Sequence, residues 1–86
     1  MKQFVYTITD PLGIHARPAG MLAKAAKAFA DTTVTIETGG TTAKASQLMK
    51  LMSLGIKNGD VVTVSAEGPD EDAAIAAMQS FFRENL

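Results

Sequence analysis

The apolar residues of this chain change their spacing repeatedly, and this change limits the folds available to it. Near the start, Phe4, Tyr6 and Ile8 alternate with their neighbours, which is the period of a strand with one buried face. From Ala16 to about Ala30 the composition instead favours a helix with one apolar face. Later segments repeat this exchange of strand and helix spacing, so the sequence predicts a mixed fold in which helices cover a sheet.

Turn residues separate the predicted elements. Asp10–Gly13 is a turn signal, Gly39-Gly40 supplies a hairpin turn, and Asn58-Gly59 marks a further turn. Gly55 can end the second helix, and Asp70 is a suitable N-cap for the third. The predicted elements are strands at about 3–8, 33–37, 41–45 and 61–67 and helices at about 16–30, 48–54 and 71–85.

The predicted element order is βαββαβα. Three helices over one face of a four-stranded, mainly antiparallel sheet is the economical arrangement of these elements, an α+β open-faced sandwich. The third helix is expected to bury Ile75, Met78 and Phe82, with Ala74 and Phe81 beside that stripe. Because the chain has 86 residues and no linker, residues 1–86 are expected to form a single domain.

Charge and composition argue against several classes of function. The net charge of −1 gives no overall support for binding nucleic acid or an anionic membrane. With no cysteine and one histidine, we expect no disulfide framework, no metal site and no cofactor. No apolar run approaches the roughly 18 residues of a membrane span, and the start lacks the apolar core of a signal peptide. We therefore expect a soluble, cytoplasmic, monomeric protein without direct membrane insertion.

The single histidine, His15, lies in the run Gly13–Gly20 (Gly-Ile-His-Ala-Arg-Pro-Ala-Gly), where the first turn leads into the first helix. The first N–H groups of a helix have no partner within it, and this end carries partial positive charge. Such an end binds phosphate readily. An imidazole placed there, with Arg17 two residues further on, can carry a covalent phosphoryl group.

Three segments of the chain carry a family resemblance. They are Gly-Ile-His-Ala-Arg-Pro-Ala at 13–19, Met-Ser-Leu-Gly-Ile at 52–56 and Val-Thr-Val-Ser-Ala-Glu-Gly at 62–68. They resemble the active-site signature, the end of the second helix and the last strand of HPr, the histidine phosphocarrier family of the bacterial phosphoenolpyruvate-dependent sugar phosphotransferase system. The resemblance implies that enzyme I phosphorylates His15 and that the phosphoryl group then passes to the IIA components of sugar permeases.

The residues around His15 have expected roles. The neutral imidazole is the nucleophile, and the resemblance implies that its Nδ1 atom becomes phosphorylated. The backbone N–H groups of Ala16 and Arg17 can hold phosphoryl oxygens, and the Arg17 guanidinium can neutralise charge as the group moves. No second titratable residue stands near His15 in the sequence, and so short a chain leaves little room for a substrate cavity. We therefore expect a carrier that is modified and regenerated, not an enzyme.

Two groups of side chains are candidate partner surfaces. Five residues share one face of the first helix: Arg17, Gly20, Met21, Lys24 and Lys27. Three apolar residues belong to the second helix: Leu48, Met49 and Met52. The lysines suit an acidic partner, and methionines adapt to several partner surfaces. The alternatives are a solvated basic face for the first group and ordinary packing for the second.

The resemblance also raises the possibility of regulation at Ser46. Many members of the family carry a serine at the start of the second helix that a kinase phosphorylates with ATP, directly before two apolar residues. Counting back from the run 52–55 puts Gln47 at that position and Ser46 one place earlier. Ser46 is thus either the target of a serine kinase or a helix cap, which is the commoner use of such a serine.

Two other functions suit the sequence less well. A regulatory protein that acts by binding alone would not need His15. An RNA-binding or small-ligand module would need basic residues and exposed aromatic side chains on the sheet. The chain has only five aromatic residues, and three of them are expected to be buried: Phe4, Phe29 and Phe82.

Overall fold

The chain forms four strands and three helices in a computed structural model that describes residues 1–86. In chain order they are β1 (Lys2–Thr7), α1 (Ala16–Lys27), β2 (Thr33–Thr38), β3 (Thr41–Lys44), α2 (Leu48–Ser53), β4 (Val61–Glu67) and α3 (Glu71–Asn85). The strands form one sheet in the order β1-β4-β2-β3, and each neighbouring pair is antiparallel. The predicted α+β open-faced sandwich with the order βαββαβα is therefore confirmed.

The strand β4 lies between β1 and β2 and supplies the centre of the buried face. Val62, Val64 and Ala66 are fully buried, and the residues between them are not. The antiparallel register places Val64 opposite Phe4 of β1 and Ile36 of β2. Since successive side chains of a strand point to opposite faces, this register brings the apolar residues of all three strands to one side of the sheet.

Phe82 of α3 joins the helices to that side of the sheet. It is the largest fully buried side chain, and its ring centre lies 5.7 Å from the ring of Phe4 and 5.4 Å from the ring of Tyr6, edge to face. Full burial of such a side chain contributes about 1.5–3 kcal/mol. Phe4 itself is half-buried and not buried as predicted, because β1 is an edge strand.

The rotation of α3 about its axis differs from the prediction. Its buried stripe consists of Ala74, Met78 and Phe82, spaced four residues apart, and Ile75 is only half-buried. The small side chain of Ala74 allows the helix backbone to approach the sheet closely, which favours this rotation. The spacing of apolar residues in the sequence could not show whether Ala74 or Ile75 would be buried.

Two helix ends also differ from the sequence prediction. The first helix ends at Lys27 and not near Ala30, because the N–H groups of Ala28 and Phe29 donate to carbonyls three residues back and tighten the last turn. Phe29 therefore lies beyond the helix and is half-buried. Asp70 occupies the predicted N-cap position of α3, but its side chain makes no capping hydrogen bond.

The loop between β1 and α1 is held by backbone hydrogen bonds from two distant parts of the chain. At its start, the N–H groups of Thr9 and Asp10 donate to the carbonyl oxygen of Leu86 at 2.6 and 2.8 Å. At its end, the N–H group of Ile14 donates to the carbonyl oxygen of Ile56 at 3.1 Å. The residues that precede α1 are thus fixed relative to the rest of the fold.

At Gly13 this loop leaves no room for a side chain, and this position provides a test of the constraint. Its φ is +69°, and a Cβ atom there would overlap the carbonyl oxygen of Ile56. We expect Gly13→Ala to lower the free energy of unfolding by about 3 kcal/mol or more, measured by urea denaturation, since strain and overlap add.

Gly39→Ala is the matched control for Gly13→Ala. Gly39 has a φ of +56°, but a Cβ atom there meets nothing within 4 Å. This variant should lose only the backbone contribution, about 1–2 kcal/mol. Equal losses in the two variants would mean that the close approach to Ile56 does not constrain the loop.

Candidate functional site

His15 stands at the N-cap position of α1. Its backbone is extended, with φ −110° and ψ −177°, and its carbonyl oxygen accepts the N–H of Ala19 at 2.9 Å. Its side chain makes no capping hydrogen bond, and 40% of that side chain is exposed. The imidazole is therefore free to react with a molecule that approaches from solvent.

The first turn of α1 leaves two backbone donors without acceptors. The N–H groups of Ala16 and Arg17 make no hydrogen bond within the protein, Pro18 has no N–H, and the N–H of Ala19 is used by His15. The first turn also contains no acidic side chain that could neutralise the helix end. Two free donors at the positive end of a helix therefore follow directly after His15 in the chain, as the sequence predicts.

A shallow depression of about 230 Å³ surrounds the imidazole. It is lined by five residues: His15, Arg17, Pro18, Met21 and Asn85. Arg17 is exposed and forms no salt bridge, so its guanidinium is available to an anion. The depression is too small and too open to enclose a substrate of drug size, which fills pockets of roughly 300–1,000 Å³.

Asp10 is the neighbour of His15 that sequence reasoning missed. The sequence shows no titratable partner close to His15 along the chain, but the fold brings one to it, because Oδ2 of Asp10 lies 3.8 Å from Nε2 of His15. The loop folds back on itself, and the same Oδ2 atom accepts the N–H of Leu12 at 3.0 Å. An aspartate at the first position of a Pro-containing turn often makes such a local bond, and this signal could have indicated the fold-back.

The predicted partner face of α1 is exposed to solvent. Its charged members Arg17, Lys24 and Lys27 are exposed, 45% of Met21 is exposed, and Gly20 is half-buried. A Cβ atom at Gly20 would meet nothing within 4 Å, so no contact within the protein requires glycine there. The face can therefore be approached closely by a second molecule, while docking to it stays a prediction.

The apolar group of α2 is also exposed. Met49 is 77% exposed, and Leu48 and Met52 are 38% exposed each, whereas Leu51 is buried. The alternative that all of these residues serve core packing is therefore wrong. Because α2 packs beside α1, these side chains lie on the helix adjacent to the one that begins at His15. Leu12 adds a further apolar side chain to the surface, since it is 71% exposed in the loop before His15.

Ser46 lies away from the imidazole and does not cap α2. Gln47 occupies the N-cap position, so the interpretation of Ser46 as a helix cap is wrong. Ser46 is half-buried and lines a separate cavity of about 250 Å³ together with Lys27 and Lys44. Its phosphorylation by a serine kinase stays a prediction.

Metal-ligating residues do not cluster in this fold: no group of three or more His, Cys, Asp or Glu side chains could hold an ion. Of the three helices, none has the length and apolar character needed to cross a membrane.

Comparisons of the sequence and of the structure with known proteins all find the same family of phosphocarrier proteins. A family described as the PTS HPr component phosphorylation site matches residues 2–84. The chain is 40% identical over 85 residues to the phosphocarrier protein HPr of Mycoplasma genitalium, covering 99% of this chain and 97% of that protein. It is 47% identical over 68 residues to HPr of Vibrio cholerae, covering 79% of each. The crystal structure of HPr from Thermoanaerobacter tengcongensis superposes with a TM-score of 0.92 at 36% identity, covering 98% and 93% of the two chains.

Proposed function

The chain belongs to the HPr family of phosphocarriers of the phosphotransferase system, and from this premise we propose that His15 is the residue that carries the phosphoryl group. We propose that enzyme I donates the group and that the IIA components of sugar permeases accept it. The observation that carries the proposal is the half-exposed imidazole beside the unpaired N–H groups of Ala16 and Arg17. Residues 1–86 would then act as one phosphocarrier domain.

The chemistry is a direct transfer of the phosphoryl group from the donor protein to a ring nitrogen of His15. The lone pair on Nδ1 of His15 attacks the phosphorus atom, a new N–P bond forms, and the bond between phosphorus and the donor breaks. The donor atom keeps the electron pair of the broken bond. Transfer to the acceptor repeats the step in the opposite sense, so the imidazole is regenerated and no other residue changes covalently.

The helix end supports this exchange because it holds the phosphoryl group with moderate strength. The two free N–H groups can each donate a hydrogen bond to a phosphoryl oxygen, and hydrogen bonds to charged groups are worth about 1.5–3 kcal/mol each. The helix end adds a favourable contribution of similar or smaller size. A more enclosing site would bind the group too firmly to release it to the next protein.

Arg17 is proposed to act while the group moves. Its side chain lines the same depression as His15 and has no carboxylate partner within the protein. A guanidinium presents paired donors that match phosphoryl oxygens. Because the charge on these oxygens is redistributed during transfer, an unpaired arginine at this position lowers the energy of the transition state.

The open site supports a carrier and not a catalyst acting on a small substrate. The depression at His15 cannot exclude water or enclose a sugar, so the specificity of the reaction must come from contact with partner proteins. The exposed face of α1 (Arg17, Gly20, Met21, Lys24, Lys27) and the apolar group of α2 (Leu48, Met49, Met52) are proposed to provide that contact.

The proposal is tested by incubating the protein with phosphoenolpyruvate, magnesium and enzyme I, followed by mapping of the modified residue. We expect acid-labile, alkali-stable phosphate on His15, and its loss in the variant His15→Gln. Phosphorylation of His15→Gln at the rate of the unmodified protein would contradict the proposal.

The role of Arg17 is tested by replacing it with alanine. We expect Arg17→Ala to slow phosphorylation by enzyme I more than tenfold, which corresponds to about 1.4 kcal/mol or more of lost transition-state stabilisation. Arg83→Ala, which removes an exposed arginine from α3, is the control and should leave the rate unchanged. Equal rates in the two variants would remove Arg17 from the mechanism.

The apolar group of α2 is tested by placing a charge on it. Met49→Asp should raise the KM for enzyme I about tenfold or more, because burying an unpaired carboxylate in an interface is costly. The fold should be retained, since Met49 is exposed and an acidic residue near a helix start is favourable.

Gln79→Asp is the control for Met49→Asp because it adds the same charge to an exposed position of α3. A folded Met49→Asp protein whose KM matches that of the control would show that α2 does not contact enzyme I.

A further inference from the structure

We infer that Asp10 is a positioning residue for the phosphoryl transfer: its carboxylate orients the His15 imidazole so that Nδ1 is the nucleophile, and it stabilises the positive charge that the ring acquires. The inference rests on the proposed function, because it assumes that His15 carries the phosphoryl group. It concerns a residue outside the helix start, contributed by the preceding loop.

Asp10 is held in place by two hydrogen bonds, one to its carboxylate and one from its backbone. Its Oδ2 atom accepts the N–H of Leu12 at 3.0 Å, and its backbone N–H donates to the carbonyl oxygen of Leu86 at 2.8 Å. A side chain fixed in this way loses little freedom when it interacts with a neighbour. The loop therefore fixes the position of the carboxylate, which lies 3.8 Å from Nε2 of His15.

The position of the carboxylate decides which nitrogen of the ring keeps its proton. At 3.8 Å from Nε2 the carboxylate is too far away for a hydrogen bond, but its negative charge attracts an N–H dipole and therefore favours the form of the imidazole with hydrogen on the nearer nitrogen, Nε2. Nδ1 then carries the lone pair. The position of the Asp10 carboxylate would thus make Nδ1 the nucleophile.

The carboxylate also acts on the charge that appears during the reaction. When Nδ1 forms its bond to phosphorus and the donor keeps the electron pair of the broken bond, Nε2 retains its hydrogen and the ring becomes cationic. A negative charge beside Nε2 lowers the energy of that cation, as the aspartate of a Ser-His-Asp triad does for its histidine. When the phosphoryl group leaves, the ring returns to the neutral form with the proton still on Nε2.

Arg17 and Asp10, the two charged neighbours of His15, would then have different roles. Arg17 is positive and lines the depression beside the imidazole, where phosphoryl oxygens would lie. Asp10 is negative and lies nearest to Nε2, the nitrogen away from the proposed bond. Each charge is opposite in sign to the part of the phosphoimidazole that it is proposed to contact.

The variant Asp10→Asn tests this inference with little damage to the loop, because the side-chain oxygen of asparagine can still accept the N–H of Leu12. We expect phosphorylation by enzyme I to slow by about tenfold, since the charge on the ring loses its partner. The matched control is Asp60→Asn. The Oδ2 atom of Asp60 accepts the N–H of Lys57 at 2.9 Å, so that variant removes the same charge and keeps the same kind of loop bond.

Two further measurements separate positioning from a merely structural role. In Asp10→Asn, nitrogen NMR of the unphosphorylated imidazole should show a smaller fraction of the form with hydrogen on Nε2. The N–P bond of the phosphorylated variant should also hydrolyse more slowly, by about threefold or more. The reason is that the protonated ring is the better leaving group and is less stabilised in this variant. If Asp10 served only to hold the loop, its replacement would change neither the ring form nor the hydrolysis rate. If Asp10→Asn does not fold, Asp10→Ser, whose hydroxyl can also accept the N–H of Leu12, is measured instead.

The inference is overturned if Asp10→Asn and Asp60→Asn behave alike, or if the folded variant keeps both the ring form and the hydrolysis rate of the unmodified protein. Failure of enzyme I to phosphorylate the unmodified protein on His15 would instead overturn the proposed function. The NMR measurement uses the unphosphorylated protein and distinguishes the two failures.

Discussion

Two backbone N–H groups without acceptors, at Ala16 and Arg17, are the constraint on which the site depends. A helix always leaves its first donors unpaired, and most helices satisfy some of them with a capping side chain. Here the cap residue is His15, its side chain makes no capping bond, and Pro18 removes one donor from the turn. The helix start thus keeps two free donors, and the proposed phosphoryl group on the imidazole would accept hydrogen bonds from them.

The rest of the fold keeps this helix start both fixed and open. The loop before it is bonded to Ile56 at one end and to Leu86 at the other, so segments far apart in the chain meet beside the imidazole. The side chains around it remain exposed, including Met21 and the apolar residues of α2. A carrier that must be reached by successive partners needs this combination of a rigid backbone and an uncovered surface.

Local sequence signals predicted most of the fold and the position of His15 at the start of α1, but not the neighbour that the fold brings to its imidazole. Alternating apolar residues, the Gly39-Gly40 turn and the position of His15 before a helix all follow from residues close together in sequence, and each was confirmed. The burial of Ala74 in place of Ile75 depends on how α3 docks on the sheet, which spacing cannot specify. The turn at Asp10-Pro11 indicates that the loop folds back, but the contact between Asp10 and His15 also depends on the distant residues that hold this loop, and local patterns do not specify those.

The most direct test of this account is NMR of the backbone amides before and after phosphorylation of His15. If the helix start holds the phosphoryl group, the amide protons of Ala16 and Arg17 should shift strongly downfield and exchange more slowly with water. The amide of Ala19, already bonded to the carbonyl of His15, should change less. A phosphorylated protein in which the Ala16 and Arg17 amides keep their original shifts and exchange rates would contradict the account.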